Sequence, residues 1–158
     1  MIKRLGISGV VVAILALAVG VVGPALGSGG QEDGEHQRWI QVTSINTEED
    51  FVDVGAEGFS LGDEFIFTSK LMKNGKQVGH AGVVCTITST KNRGESQCVG
   101  TTRFDGRGQI TVQGLLAGEP KTFVIAITGG TGSYEGAEGT LRVRQFPNRE
   151  TLTFHLSD

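Results

Sequence analysis

The chain has 158 residues, 14 of them basic and 17 acidic, for a formal charge of −3. That length gives one domain and not comfortably two. A weakly acidic chain without a dense basic run is a poor polyanion ligand, because nucleic-acid affinity rests on phosphate neutralisation by Lys and Arg; no nucleic-acid partner is expected.

The first segment stands apart from the fold. Lys3 and Arg4 precede an uncharged apolar run from Leu5 to Val22, and Gly23-Pro24-Ala25-Leu26-Gly27-Ser28 supplies a breaker and small residues. This is the pattern of an export signal, with cleavage expected near Gly27–Ser28 and residues 1–27 removed. The alternative is an uncleaved anchor, since about 18 apolar residues can just span a bilayer. Cleavage takes two of the 14 basic residues and no acidic one, leaving 12 against 17. The expected location is secreted or extracytoplasmic, with no stable membrane insertion after cleavage.

Residues 28–38 are polar, acidic and glycine-containing, and read as a flexible leader. The folded domain is expected over 39–158. Its first strand shows period two, with Ile40, Val42, Ser44 and Asn46 on one face and Gln41, Thr43 and Ile45 on the other. Thr47 to Gly62 is acidic and carries three glycines, and reads as a long loop that packs back as a lid or edge. Further strands are expected near 63–72, 78–90, 95–104, 109–116, 122–128, 139–146 and 150–156. The breaks between them include Asn74-Gly75, Asn92-Arg93-Gly94 and Asp105-Gly106-Arg107-Gly108. Glycine-rich turns at this spacing mark an all-β sandwich or barrel. Eight strands suit a single closed eight-stranded antiparallel β-barrel, since closure removes exposed edges.

Cys85 and Cys98 are the only cysteines. In an exported chain an even count favours a disulfide. A hairpin turning near Lys91-Asn92 sets 85 opposite 98, at the short Cβ separation that a bridge needs. Two cysteines with no histidine pair nearby do not make a zinc site, and no metal or cofactor is expected.

Gly129-Gly130-Thr131-Gly132 is glycine-rich after a strand, but no Gly-Lys-Ser/Thr and no helical pattern follow it. The glycines are better explained by positive φ and close backbone approach at a barrel corner. His80 and His155 fall on outward parity. Asp63 and Glu64 at a strand start read as turn and solvent residues. No Gly-x-Ser-x-Gly elbow occurs.

The ordered motifs Gly62-Asp63-Glu64-Phe65-Ile66-Phe67-Thr68-Ser69-Lys70-Leu71, Gly108-Gln109-Ile110-Thr111-Val112-Gln113-Gly114, Ala126-Ile127-Thr128-Gly129-Gly130-Thr131-Gly132-Ser133-Tyr134 and Thr153-Phe154-His155-Leu156 resemble the allene oxide cyclase and dirigent β-barrel superfamily. The resemblance spans roughly Ile40 to Leu156. It implies an eight-stranded antiparallel barrel, a homotrimer and a central cavity for an apolar small molecule. It also implies a ligand-contacting set of Ser44, Asn46, Phe65, Phe67 and Ser69, with Cys85 at the position of a cavity cysteine. Departures matter equally. Ser44 stands where the plant cyclase has a glutamate, Ser69 where it has an asparagine, and Arg107 where it has a tyrosine. Serine is a poor proton donor or acceptor at neutral pH, so allene oxide cyclase activity itself is not expected and no catalytic residue is assigned. The expected function is binding of an apolar or lightly oxygenated molecule. The alternatives are cyclase-like or dirigent-like steering of a reactive intermediate, and a structural or partner-binding barrel with a filled interior.

Overall fold

The structure, a computed structural model, describes residues 38–157. The expected signal segment 1–27 and all but the last residue of the expected leader 28–38 lie outside the described residues.

Eight antiparallel strands follow one another around a closed barrel: β1 (Arg38–Val52), β2 (Glu64–Lys73), β3 (Lys76–Ser89), β4 (Glu95–Phe104), β5 (Gly108–Ala117), β6 (Thr122–Gly130), β7 (Glu138–Phe146) and β8 (Arg149–Ser157). β1 closes the ring by pairing with both β2 and β8. A single 3-10 turn, Gly132–Tyr134, is the one helical element among the described residues. The period-two pattern explains the closure. Each strand offers an apolar face to the interior, and each neighbour satisfies its ladder.

β1 differs from expectation. Its residues 47–52, read from sequence as loop, remain strand. Pairing with β8 ends at Ser44↔Glu150, whereas pairing with β2 continues to Val52↔Glu64 through a register shift between Asn46 and Glu48. Beyond Ser44 the strand therefore stands above the β8 rim with a ladder on one side only. Acidic side chains are tolerated there because both faces meet water. The true loop is shorter, and Asp63 ties it down. Its carboxylate accepts hydrogen bonds from the Val54 amide at 2.9 Å, the Ser60 amide and the Ser60 hydroxyl. Asp63 is buried, contrary to its reading as a solvent residue. These donors hold its carboxyl below the usual carboxylate range, the Val54 and Ser60 amides most of all.

The interior divides along the barrel axis. At the end near Arg38, Leu71, Ile110, Phe154 and Tyr134 are fully buried. Phe104 packs between Tyr134 and Phe154, with ring centroids at 5.3 and 5.8 Å. Each such side chain contributes about 1.5–3 kcal/mol on burial, so this end is a plug. The corner after β6 lets Tyr134 reach it. A Cβ on Gly130 would collide with the Tyr134 carbonyl oxygen, and Gly132 sits at φ +63°. Both support the reading of these glycines as corner residues. His155 packs against Trp39 outside the barrel, the rings tilted at 51° with centroids 3.6 Å apart.

Candidate functional site

Above the plug the barrel is hollow. A cavity of about 140 Å³ lies between Ser44 on β1, Phe67 and Ser69 on β2, the β3–β4 wall, and Leu141, Val143 and Leu152 on β7 and β8. A filled interior, the last of the alternatives above, is found in one half of the barrel only. The volume is comparable to the roughly 150 Å³ apolar cavity that takes up benzene in an engineered protein. It is smaller than the few hundred Å³ typical of drug-sized sites.

Ser44 and Ser69 meet in its wall. Both are buried, and the Ser44 hydroxyl donates to Ser69 Oγ at 2.9 Å. β1 and β2 place them by inward alternation, Ser44 continuing Ile40 and Val42, and Ser69 two residues before Leu71. Phe67 lines the cavity one layer higher. The other two residues of the expected set lie elsewhere. Asn46 is exposed at the rim, with its amide donating to Glu49 at 3.2 Å. Phe65 is 44 % exposed and packs on Phe51 at 4.8 Å between centroids, at a level where β1 has already left β8.

Cys85 and Cys98 are directly opposite on β3 and β4 and form the disulfide, with Cα atoms 4.0 Å apart. Both belong to the cavity wall. Gly114 on β5 follows in the same register row, and a Cβ there would collide with Ile125. The wall is therefore tight around the bridge.

Sequence reasoning missed the residue with the most chemical potential, Glu150. It lines the cavity and also borders a polar cleft shared with Asn46, Glu49, Gln145 and Arg149 at the rim. Alternation could have found it. Leu156, Phe154 and Leu152 are buried on β8, and the next position on that face is 150. The Gln145 amide donates to Glu150 Oε1 at 3.3 Å. Burial raises the Glu150 carboxyl above the ordinary range, and the Gln145 bond lowers it in part. The interior thus contains a group able to hold or move a proton, which the two serines cannot do. Tyr134 is a second titratable group inside the described barrel. Burial raises its phenol, with Arg107 and Arg38 acting against that, and its hydroxyl has no hydrogen-bond partner. It belongs to the plug and not to the cavity.

The described residues thus form a closed antiparallel barrel with one end plugged and the other hollow, apolar and rimmed by polar groups. The chain belongs to the allene oxide cyclase-like barrel family: residues 40–156 match the allene oxide cyclase barrel-like domain. Among solved structures, a pyocyanin demethylase is 30% identical and superposes with a TM-score of 0.67, covering 75% of this chain and 99% of its own. An exo-specific intermolecular Diels-Alderase, 12% identical, superposes with a TM-score of 0.63 over 77% of this chain and 98% of its own. A pterocarpan synthase dirigent protein is 16% identical, with a TM-score of 0.60 over 78% of this chain and 84% of its own. The last two likenesses concern the fold alone.

Proposed function

We propose that the protein binds an apolar or lightly oxygenated small molecule in the hollow half of its barrel. The observation that carries this reading is the cavity of about 140 Å³ between an apolar wall and the Ser44–Ser69 pair. It can enclose one ring, or a two-ring molecule whose polar end stays at the Gln145 rim. Burying about 250 Å² of apolar ligand surface is worth roughly 6 kcal/mol before association costs, which points to dissociation constants from about 0.1 mM to about 1 mM for an unoptimised ring probe. Native mass spectrometry tests for a natural occupant. A bound mass lost on denaturation supports the reading, and methyl NMR shifts of Val143 and Leu152 on adding 2-naphthol place the probe. Naphthol shifts confined to the outer face of β3 and β4 would defeat it.

A second reading is supported by Glu150 and by the demethylase at 30% identity. Here the cavity orients a reactive molecule while the Glu150 carboxyl donates or accepts one proton, in the manner of a cyclase-like or dirigent-like barrel. Assembly as a homotrimer is part of the proposal. Exposed Ile66, Val84 and Val99 lie side by side on the outer face of β2, β3 and β4, and light scattering tests it. The Cys85–Cys98 bridge fits an oxidising, extracytoplasmic location.

A further inference from the structure

Among the described residues Glu150 is a carboxylate without a counter-ion in the cavity. Among the described residues the cavity lining holds no lysine, arginine or histidine, and Glu150 is its one carboxylate. Its side chain accepts a hydrogen bond from the Gln145 amide at 3.3 Å. Ser44, directly opposite on β1, turns its proton to Ser69 instead. The charged groups across the rim cleft are Glu49 from β1 and Arg149 from β8. Asn46 bonds Glu49. The Arg149 guanidinium lies over the Phe146 ring at 5.2 Å, and Arg144 of β7 shares that ring at 5.1 Å.

We propose that the cavity selects a planar ring ligand carrying a positive charge at the end that meets Glu150, and rejects ring carboxylates. The inference rests on the cavity-binding reading above. A half-buried carboxylate is costly without a partner, and a ligand cation beside it supplies that partner inside the rim, where water screens less. The same geometry sets a carboxylate ligand against a like charge with no cation in the cavity lining to receive it, the Arg149 guanidinium lying over the Phe146 ring at the rim. The apolar wall takes the ring in either case, so charge decides between ligands of equal shape.

The test is a titration of the full chain at pH 8 with three shape-matched probes: 1-methylquinolinium, quinoline and 2-naphthoate. The expected order is the cation at least about tenfold tighter than quinoline, and naphthoate about tenfold weaker than quinoline. The affinity of 1-methylquinolinium itself, whose charge does not change with pH, should fall as pH falls and Glu150 takes up its proton. E150Q should bring the three affinities within about threefold of one another, while E49Q keeps the order. Equal affinity for cation and quinoline in the unaltered chain overturns the inference, as does a preference that survives E150Q or disappears in E49Q alone. Quinoline separates the two levels. If it binds without charge preference, only this inference fails; if none of the three binds, the cavity reading fails with it.

Discussion

Glu150 on β8 stands directly opposite Ser44 on β1, at the last rung of the ladder that closes the barrel. One rung further, β1 leaves β8 and the interior opens to the polar rim. The pair therefore marks the boundary between the apolar cavity and water, with a hydroxyl on one strand and a carboxyl on the other.

That placement predicts the outcome of introducing a glutamate at position 44. Side chains directly opposite have Cβ atoms about 4.5–5.5 Å apart. Ser44→Glu thus sets two carboxyls face to face, and they titrate as a coupled pair. The variant should lose roughly 1–3 kcal/mol at pH 8, from like-charge repulsion and the lost Ser69 bond, and recover part of it by pH 4. Urea midpoints across that range check it. A loss that is the same at both ends would mean that the two carboxyls do not meet.

Glu150→Gln should behave oppositely. The folded-state carboxyl titrates above its unfolded value, so charging it disfavours the fold. The penalty is absent below the unfolded value, grows as pH rises through the carboxylate range, and is complete above the folded value. E150Q should match the unaltered chain in acid and exceed it in stability at neutral pH and above. Denaturation midpoints at pH 4 and pH 8 give the comparison; a variant less stable at pH 8 would contradict the sign.

The disulfide closes a loop with a sequence separation of 13. On the chain-entropy estimate it contributes about 3 kcal/mol. Replacing both cysteines with alanine should lower unfolding free energy by roughly that amount and enlarge the cavity wall. Differential scanning calorimetry of the double variant reads the first effect. An unchanged midpoint would show that the bridge adds nothing to the native ladder.

Asp63 holds the 53–62 loop through two amides and a hydroxyl. Its lowered titration means that this hold is present above the unfolded Asp value and is lost as pH falls through the folded value. Asp63→Asn should speed amide exchange at Val54 and Ser60 by about tenfold or more at neutral pH while leaving the plug protected. Exchange rates at those two amides that match the unaltered chain would remove Asp63 from this role.

Most of the barrel was legible because its strands alternate strictly, from Ile40 and Val42 on β1 to Leu152, Phe154 and Leu156 on β8. The disulfide was legible for the same reason, since hairpin register put Cys85 opposite Cys98. The far end of β1 was not. Glu48, Glu49 and Asp50 look like loop because they pair with β2 alone above the rim, where no apolar face is required. Asn46 had the right parity, yet the register shift that follows it leaves its side chain exposed at the rim. Phe65 also had the right parity, but β2 and β3 rise past the level where β1 and β8 separate. Glu150 was hidden by its place next to the Pro147-Asn148 turn, where a carboxylate reads as a solvated rim residue. Only counting back from the buried β8 positions reveals it.

Calorimetric titration of 2-naphthol into the chain and into Ala81→Leu tests the central claim most directly. Ala81 is buried in the cavity wall, and a leucine there adds about three carbon atoms to the space a ring must enter. The account predicts one site per chain between about 0.1 mM and about 1 mM, weakened at least tenfold by the substitution. No binding to the unaltered chain, or equal binding to a folded Ala81→Leu variant, would contradict it.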